Sequence, residues 1–380
     1  MLAYLDHHAT TPCDPRVQAA MEPWWSHGFA NPSSRLYRPA LEAAAAVEIA
    51  REQVAAGLGM PPQAVIFTSG ATEANNLALK GVVEAAWERG DPRRTLVTLA
   101  TEHRAVLDPL LWLGRHGYSL QVLPVGPDGL ADPERLAAAL GPDTLLLSLM
   151  AANNEIGVLH DLVSIARLCQ ERRVLFHCDA AQAVGHIPLA MGELGIDLLS
   201  LSGHKLYGPK GCGALVVREG VALAPQQHGG GQERGLRAGT LAVPLLVGLG
   251  QAVEQAGADR AERSARLLAL RRRLWSGLEA LGGVRLNGHP EMRLPHNLNV
   301  TIDGVEGGRL HRLLRSRLAV SSGSACSQGS PSHVLAAIGR SPAEAAASIR
   351  FGLGRGSDGD QIEGAIAAVA AAVAELRQAP

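Results

Sequence analysis

Short runs of apolar residues recur along the first two-thirds of the chain, and each ends in small or polar residues. The runs occupy 64–70, 95–100, 144–157, 174–185, 197–205 and 213–219. Most are followed by a helical pattern with apolar residues three or four positions apart. Strands that alternate with helices predict an α/β fold with a mostly parallel, doubly wound sheet and helices on both faces. In such a sheet, the loops after the strand ends line the ligand crevice.

The pattern changes towards the C-terminus, where a helical pattern rich in Leu and Arg spans 245–281 and shorter units follow. Ser341 with Glu344 predicts a capping box at the start of one helix. Apolar residues at 4-3-4-3 spacing predict a last helix from about 358 to 378. We therefore expect a large cofactor-binding domain and a smaller α+β domain with which an N-terminal segment packs. The expected parts are residues 1–14, 15–255 and 256–380.

The composition excludes several classes of protein. Hydrophobic residues make up 47% and charged residues 19%, and the net charge is −1, so no basic surface for nucleic acid or an anionic membrane is expected. No apolar stretch is long enough to predict a transmembrane helix, and the first residues lack a signal-peptide pattern. The 5 cysteines are scattered, with no CxxC pair. This argues against a disulfide framework and a zinc site, and for a reducing, cytoplasmic compartment.

Five predicted strand ends carry residue types that bind ligands. They are the turn at 69–72, His103, the segment at 153–155, Asp179 and Lys205. A glycine turn before a helix can bind an anion with its free amides, and a buried carboxylate must be paired or hydrogen-bonded to stay ionised. Taken singly, each has a commoner structural explanation, such as a helix cap, a packing residue or a surface residue.

Taken together, these strand ends supply an anion-binding turn, a ring-stacking candidate, an amide, a buried acid and an amine. A phosphate, a heterocycle with a basic nitrogen and a covalently held aldehyde would use all of them, and pyridoxal 5'-phosphate has these three features. The sequence therefore predicts that cofactor, with Lys205 as the residue that holds it covalently.

Ten short motifs follow one another over nearly the whole chain. They are YLDHHATTP (4–12), NPSS (31–34), SGATEANN (69–76), TEH (101–103), NNEIG (153–157), HCDAAQAVG (177–185), SLSGHKLYGPKG (200–211), RAGT (237–240), SSGSACS (321–327) and IRFGLGR (349–355). With them the chain resembles the class V aminotransferase family of pyridoxal-phosphate enzymes, and within it the cysteine desulfurases of the NifS/IscS type. The resemblance implies the pyridoxal-phosphate fold type I.

The resemblance also implies a role for each matching residue around the cofactor. The residues that would face the phosphate are Ala71, Thr72, Ser202, His204 and, from the neighbouring subunit, Thr240. The residues that would contact the ring are His103 stacked on its face, Asp179 at its nitrogen, Gln182 near its phenolic oxygen and Asn154 beside ring and substrate. Arg350 would hold the substrate carboxylate, which suits a bidentate guanidinium. A phosphate contact from a neighbouring subunit implies a homodimer.

Cys326 lies in a segment of serine and glycine that is polar and hard to bury. A cysteine there is better placed for reaction than for packing. The resemblance implies that Cys326 is the catalytic cysteine that becomes a persulfide. It further implies that Cys326 would be an iron–sulfur ligand while the sulfur is handed over to the acceptor.

The expected reaction converts L-cysteine to L-alanine and leaves the sulfur on Cys326, for an iron–sulfur scaffold or another sulfur-acceptor protein. Two other classes stay open. One is a different pyridoxal-phosphate reaction, namely selenocysteine lysis, cystine C–S lysis or transamination, which a product assay separates. The other is a non-catalytic partner that kept the fold, against which the intact Lys205, Asp179 and Arg350 argue.

Overall fold

The computed structural model describes residues 2–322 and 332–378. The strands are β1 (Ala3–Tyr4), β2 (Val65–Thr68), β3 (Thr95–Leu99), β4 (Ser119–Leu123), β5 (Thr144–Ser148), β6 (Leu175–Asp179), β7 (Leu198–Ser202), β8 (Gly213–Val217), β9 (Val284–Leu286), β10 (Asn297–Ile302), β11 (Leu318–Ala319) and β12 (Ser348–Gly352).

The α-helices connect most of these strands, and the last helix follows the last strand in the chain. They are α1 (Pro15–Met21), α2 (Pro23–Ser26), α3 (Arg38–Gly57), α4 (Ala71–Glu88), α5 (Arg104–Gly114), α6 (Pro133–Ala139), α7 (Leu162–Arg172), α8 (Met191–Leu194), α9 (Val243–Ala258), α10 (Arg260–Glu279), α11 (Gly307–Leu314), α12 (His333–Ala337), α13 (Pro342–Ala346) and α14 (Gly359–Gln378). Among the described residues, no helix is both long and apolar enough to cross a bilayer.

The main sheet has seven strands in the order β2-β8-β7-β6-β5-β3-β4. Only β8 runs against its neighbours, so the predicted α/β fold with a mostly parallel sheet is confirmed. Strand β4 was not predicted. It lies at the edge of the sheet and every one of its residues keeps some exposure, so its sequence lacks the continuous apolar run of the buried strands.

The C-terminal part is built on an antiparallel sheet in the order β12-β10-β9, with a second apolar core that includes residues of α10 and α14. The capping box at Ser341 and the last helix are confirmed. The single helical pattern over 245–281 is two helices, because the chain leaves helical geometry at Asp259. The division at residues 14 and 255 stays a prediction.

The N-terminal segment joins the two parts of the fold. Strand β1 pairs in parallel with β11, and Leu5 is buried in the second core. Beyond it, the backbone of Asp6 bridges to Gly352 at the end of β12. Thr11 Oγ1 then donates to the backbone oxygen of His204 at 3.0 Å. The first residues therefore run from the second core to the end of β7 in the main sheet.

A buried ion pair fixes the loop that leads to Thr240. The Arg51 guanidinium makes two parallel bonds of 2.8 Å to the Glu233 carboxylate, which also accepts from the Phe67 amide at 2.7 Å. Glu233 and Arg234 both have left-handed backbone angles, with φ of 46° and 57°. Residues without glycine's freedom adopt that region only when the surroundings hold them there, and this pair is what holds them.

Arg51→Met should destabilise the protein strongly, because it leaves the Glu233 carboxylate buried without its partner. Breaking a buried pair in this way costs about 3–5 kcal/mol. Urea denaturation would measure the loss. The matched control is Arg167→Met in the exposed Arg167–Glu171 pair, for which less than about 1 kcal/mol is expected. Equal losses for the two variants would contradict a structural role for the buried pair.

Candidate active site

A cavity of about 470 Å³ opens at the carboxyl ends of the main-sheet strands. The predicted site residues that line it are Ala71, Thr72, His103, Asn154, Asp179, Gln182, Ser202, His204, Lys205 and Arg350. They come from loops after five strands of the main sheet and, for Arg350, from β12. Positions far apart in sequence are thus brought to one place, as expected for a parallel sheet.

One end of the cavity is shaped to bind an anion. Helix α4 begins directly after Gly70, whose φ of 152° favours glycine, and no side chain caps its first turn. A Cβ added at Gly213 would lie 2.7 Å from the Gly70 Cα, so position 213 needs glycine for this close approach. The free amides at the start of α4 therefore face the cavity beside Ser202 and can hold a phosphate.

Asp179 ends β6 and its carboxylate is buried at the floor of the cavity. One oxygen accepts from Asn75 Nδ2 at 2.8 Å and the other from the Ala181 amide at 3.0 Å. The contact with Ala181 closes a turn, because the chain after Asp179 forms a turn and not the helix that a capping role required, and the carboxylate also faces the cavity. Asn75 was missed by the sequence analysis, although a polar residue on the buried face of α4 is a signal for it.

His103 caps α5, since its Nδ1 accepts from the Ala105 amide at 3.0 Å. Burial lowers the pKa of His103, so the neutral ring is favoured. His204 is bonded through Nδ1 to Thr10 Oγ1 at 3.1 Å, and burial together with Lys205 lowers its pKa to about 4. Both histidines are therefore uncharged at neutral pH, and His103 offers a flat neutral ring face.

Lys205 lies in the 3₁₀ turn Gly203–Lys205 that follows β7. Its Nζ donates to the backbone oxygen of His8 and, at 3.0 Å, to that of Ala9. The amine is thus directed at the N-terminal segment on the wall of the cavity. Two carbonyl acceptors of this segment therefore orient the amine.

Arg350 is buried on β12 and reaches the cavity from the second core. Its Nη1 donates to the backbone oxygen of Asn154 at 3.0 Å, and its Nη2 donates to Asp6 Oδ1 at 2.7 Å. Asp6 was missed by the sequence analysis, because its partner lies more than three hundred residues away. These two contacts fix the guanidinium so that it can meet a carboxylate in the cavity.

Comparison with known proteins identifies the family. The model of the family described as aminotransferase class-V matches residues 3–364. The chain belongs to the aminotransferase class-V family. It is 46% identical over 379 residues to the cysteine desulfurase IscS of Methylococcus capsulatus, covering 99% of this chain and 93% of that protein. The predicted resemblance to the class V family and its cysteine desulfurases is confirmed.

Two solved structures resemble this chain over nearly its whole length. A structure described as a NifS-like protein has a TM-score of 0.93 at 36% identity, covering 99% of this chain and 100% of that one. A structure described as SspA in complex with cysteine has a TM-score of 0.81 at 37% identity, covering 92% of this chain and 98% of that one. The full-length match extends over both the main sheet and the C-terminal part.

Two predicted site residues remain to be placed in this aminotransferase class-V chain. Thr240 is exposed and is not among the described residues that line the cavity. Its predicted role concerns a neighbouring subunit and stays a prediction. Cys326 lies outside the described residues. His333 Nε2 donates to the backbone oxygen of Glu102, next to His103, at 2.9 Å.

Proposed function

We propose that the protein is a pyridoxal-phosphate-dependent cysteine desulfurase that converts L-cysteine to L-alanine and takes the sulfur onto Cys326. The observation that carries the proposal is one cavity that holds the Lys205 amine, the open start of α4, the Asp179 carboxylate and the Arg350 guanidinium. The full-length likeness to proteins named cysteine desulfurase IscS supports the same class of enzyme.

The residues of the cavity fit pyridoxal phosphate. The start of α4, with Ser202 and His204, suits the phosphate, and Lys205 suits the aldehyde. Asp179 is buried and both of its carboxylate oxygens accept hydrogen bonds, so it suits a protonated ring nitrogen. When bound, the cofactor supplies an electron sink for charge that develops on the substrate Cα.

The protein's own residues then bind the substrate and move its proton. Arg350 binds the carboxylate of cysteine, and the contact with Asp6 keeps the guanidinium aimed at the cavity. The Lys205 Nζ takes the proton from the substrate Cα as a general base, a role that contributes about 10²–10⁴-fold.

The sulfur leaves the substrate by attack of the Cys326 thiolate. A bond forms between Cys326 Sγ and the substrate sulfur while the substrate Cβ–S bond breaks. The electron pair of the broken bond stays with the carbon skeleton, which takes up one proton at Cβ and regains one at Cα to become alanine. Cys326 carries the persulfide, from which an iron–sulfur scaffold or another sulfur-acceptor protein receives the sulfur.

A product assay tests the proposal. The purified protein with pyridoxal phosphate should form alanine and sulfide in equal amounts from L-cysteine when a thiol reductant is present. Pyruvate and ammonia in place of alanine would favour a C–S lyase acting on cystine. Alanine formed from selenocysteine but not from cysteine would favour a selenocysteine lyase, the remaining alternative within the family.

We also propose a homodimer in the cytoplasm. The loop that carries Thr240 is fixed by the Arg51–Glu233 pair and by Arg237, which bonds to Glu73 at 2.7 Å on the first turn of α4. Because these contacts hold the loop and Thr240 is exposed, the Thr240 side chain can bind a phosphate in a neighbouring subunit. Light scattering should give twice the chain mass of 39.8 kDa. A fully active monomer would contradict this prediction.

Asp179→Asn should lower kcat for alanine formation by at least about 100-fold, because a neutral amide stabilises a protonated ring nitrogen far less than a carboxylate does. The fold should survive, since an amide oxygen can still accept the hydrogen bond from the Ala181 amide. Asn75→Ser is the matched control, because it removes one bond to Asp179 but keeps the charge. A kcat as low in the control as in Asp179→Asn would argue against the charge as the cause.

A further inference from the structure

Gln182 is held in a reciprocal pair of hydrogen bonds by a single residue, His8. Gln182 Nε2 donates to the backbone oxygen of His8 at 2.9 Å, and Gln182 Oε1 lies 3.0 Å from His8 Nδ1. Both residues are buried, and they are 174 positions apart in the chain. The N-terminal segment therefore fixes both ends of this amide.

These contacts settle the orientation of the amide and the proton of the imidazole. A backbone oxygen can only accept, so the amide nitrogen of Gln182 must face it. Its Oε1 then faces His8 Nδ1, which must carry the hydrogen. One hydrogen on Gln182 Nε2 is left over, and Gln182 lines the cavity. The pair thus leaves one amide N–H for a group bound there.

The His8 ring is held in turn by a column of stacked imidazoles. Its centroid lies 4.6 Å from that of His296, which lies 4.1 Å from that of His186, with angles of 26° and 25° between the planes. At the far end, His186 Nε2 donates to the backbone oxygen of Lys205 at 3.3 Å. The three stacked rings therefore connect the Gln182 side chain, which contacts His8, with the backbone of Lys205, which contacts His186.

The surroundings keep the His8 ring neutral and in place. A Cβ added at Gly352 would lie 2.8 Å from the His8 ring, so β12 leaves the space that the ring occupies. Burial lowers the pKa of His8 far below its usual value, and the facing cations of Arg350 and Lys205 act in the same direction, as does His186. His8 therefore stays an uncharged donor through Nδ1.

We propose that His8 is a positioning residue that fixes the Gln182 amide so that its remaining N–H points at the phenolic oxygen of bound pyridoxal phosphate. The inference rests on the proposed function, since it needs the cofactor in this cavity. A donor at the phenolic oxygen stabilises its ionised form and so lowers the pKa of the cofactor chromophore. His8 acts on the cofactor only through Gln182.

Two substitutions of His8 separate the hydrogen bond from the stacking. The side-chain nitrogen of asparagine stands at the same number of bonds from Cβ as Nδ1 of histidine, so His8→Asn keeps the donor and loses the ring. His8→Phe keeps the ring and loses the donor. The readout is the pH titration of the visible absorption band of the holoenzyme, without substrate. We expect His8→Phe to raise the chromophore pKa by about 0.5–1 unit and His8→Asn to leave it unchanged.

A double variant tests whether the effect passes through Gln182. Once Gln182→Leu is present, adding His8→Phe should shift the pKa no further, whereas independent roles would add. The proposal is overturned by additive shifts, by an unchanged pKa in His8→Phe, or by a larger shift in His8→Asn than in His8→Phe. If His8→Phe does not fold, the chromophore pKa is measured in His8→Ala instead, because this variant also lacks the donor. A wild-type protein without a visible band would instead refute the proposed function.

Discussion

Lys205→Ala should abolish the conversion of L-cysteine to alanine. The substitution removes the amine that would hold the cofactor and the base that would take the Cα proton, and the base alone is worth about 10²–10⁴-fold. Its Nζ is oriented by the backbone oxygens of His8 and Ala9, neither of which can replace a base. The cavity offers Lys210 as a second amine, but Lys210 is exposed and those two oxygens do not orient it.

The covalent role of Lys205 can be measured apart from activity. The sequence has only three lysines, Lys80, Lys205 and Lys210. Reduction of the holoenzyme with borohydride, followed by peptide mass spectrometry, should find the cofactor on Lys205. Lys80→Ala is the control, because this residue lies on the surface beside Trp112, and it should keep normal turnover. Cofactor fixed to Lys210, or alanine production by Lys205→Ala at the wild-type rate, would show that the assignment is wrong.

Cys326→Ser should stop sulfide release while the cofactor still binds and still responds to cysteine. Binding of the cofactor depends on Lys205 and the start of α4, which the substitution does not alter. Removal of sulfur needs a thiolate, and a serine hydroxyl is far too weakly acidic to provide an equivalent nucleophile. The mutant should therefore show a spectral change with cysteine and release no sulfide in the presence of reductant.

The other four cysteines are poor substitutes for Cys326. Burial raises the pKa of Cys169 and of Cys212 to about 12, and that of Cys178 well above its usual range. Cys13 is partly exposed, but burial and the neighbouring Asp14 raise its pKa as well. Cys13→Ser is thus the matched control and should keep full activity. Sulfide release by Cys326→Ser at the wild-type rate would place the nucleophile elsewhere and favour a simple C–S lyase.

The sequence predicted those site residues that stand at strand ends. Parallel strands gather their carboxyl ends at one edge, so Asp179 and Lys205 could be placed together without knowing any side-chain contact. Asp6, His8 and Asn75 could not be found in this way. Each acts through a contact with a residue more than one hundred positions away, and no periodic pattern records such a contact.

Structural and functional explanations of one residue did not exclude each other. His103 caps α5 through Nδ1, and the same contact leaves its ring on the cavity wall. Asp179 bonds to the Ala181 amide and still faces the cavity. A helix or a turn that starts just after a strand end needs a hydrogen-bond acceptor where a ligand would bind, so one side chain can fill both roles. A sequence pattern alone cannot separate two roles that the geometry combines.

The path of the N-terminal segment has a consequence for the order of events during translation. Residues 3–6 leave the ribosome first, yet their partners on β11 and β12 are synthesised more than three hundred residues later. Until then residues 3–6 lack the strands that anchor them, although the partner of His8 on the main-sheet side, Gln182, is already made. The main sheet can form while the chain is still growing, but the wall of the cavity cannot close before synthesis is nearly complete. A nascent chain should therefore complete the wall of its cavity only near the end of synthesis, however early its sheet has folded.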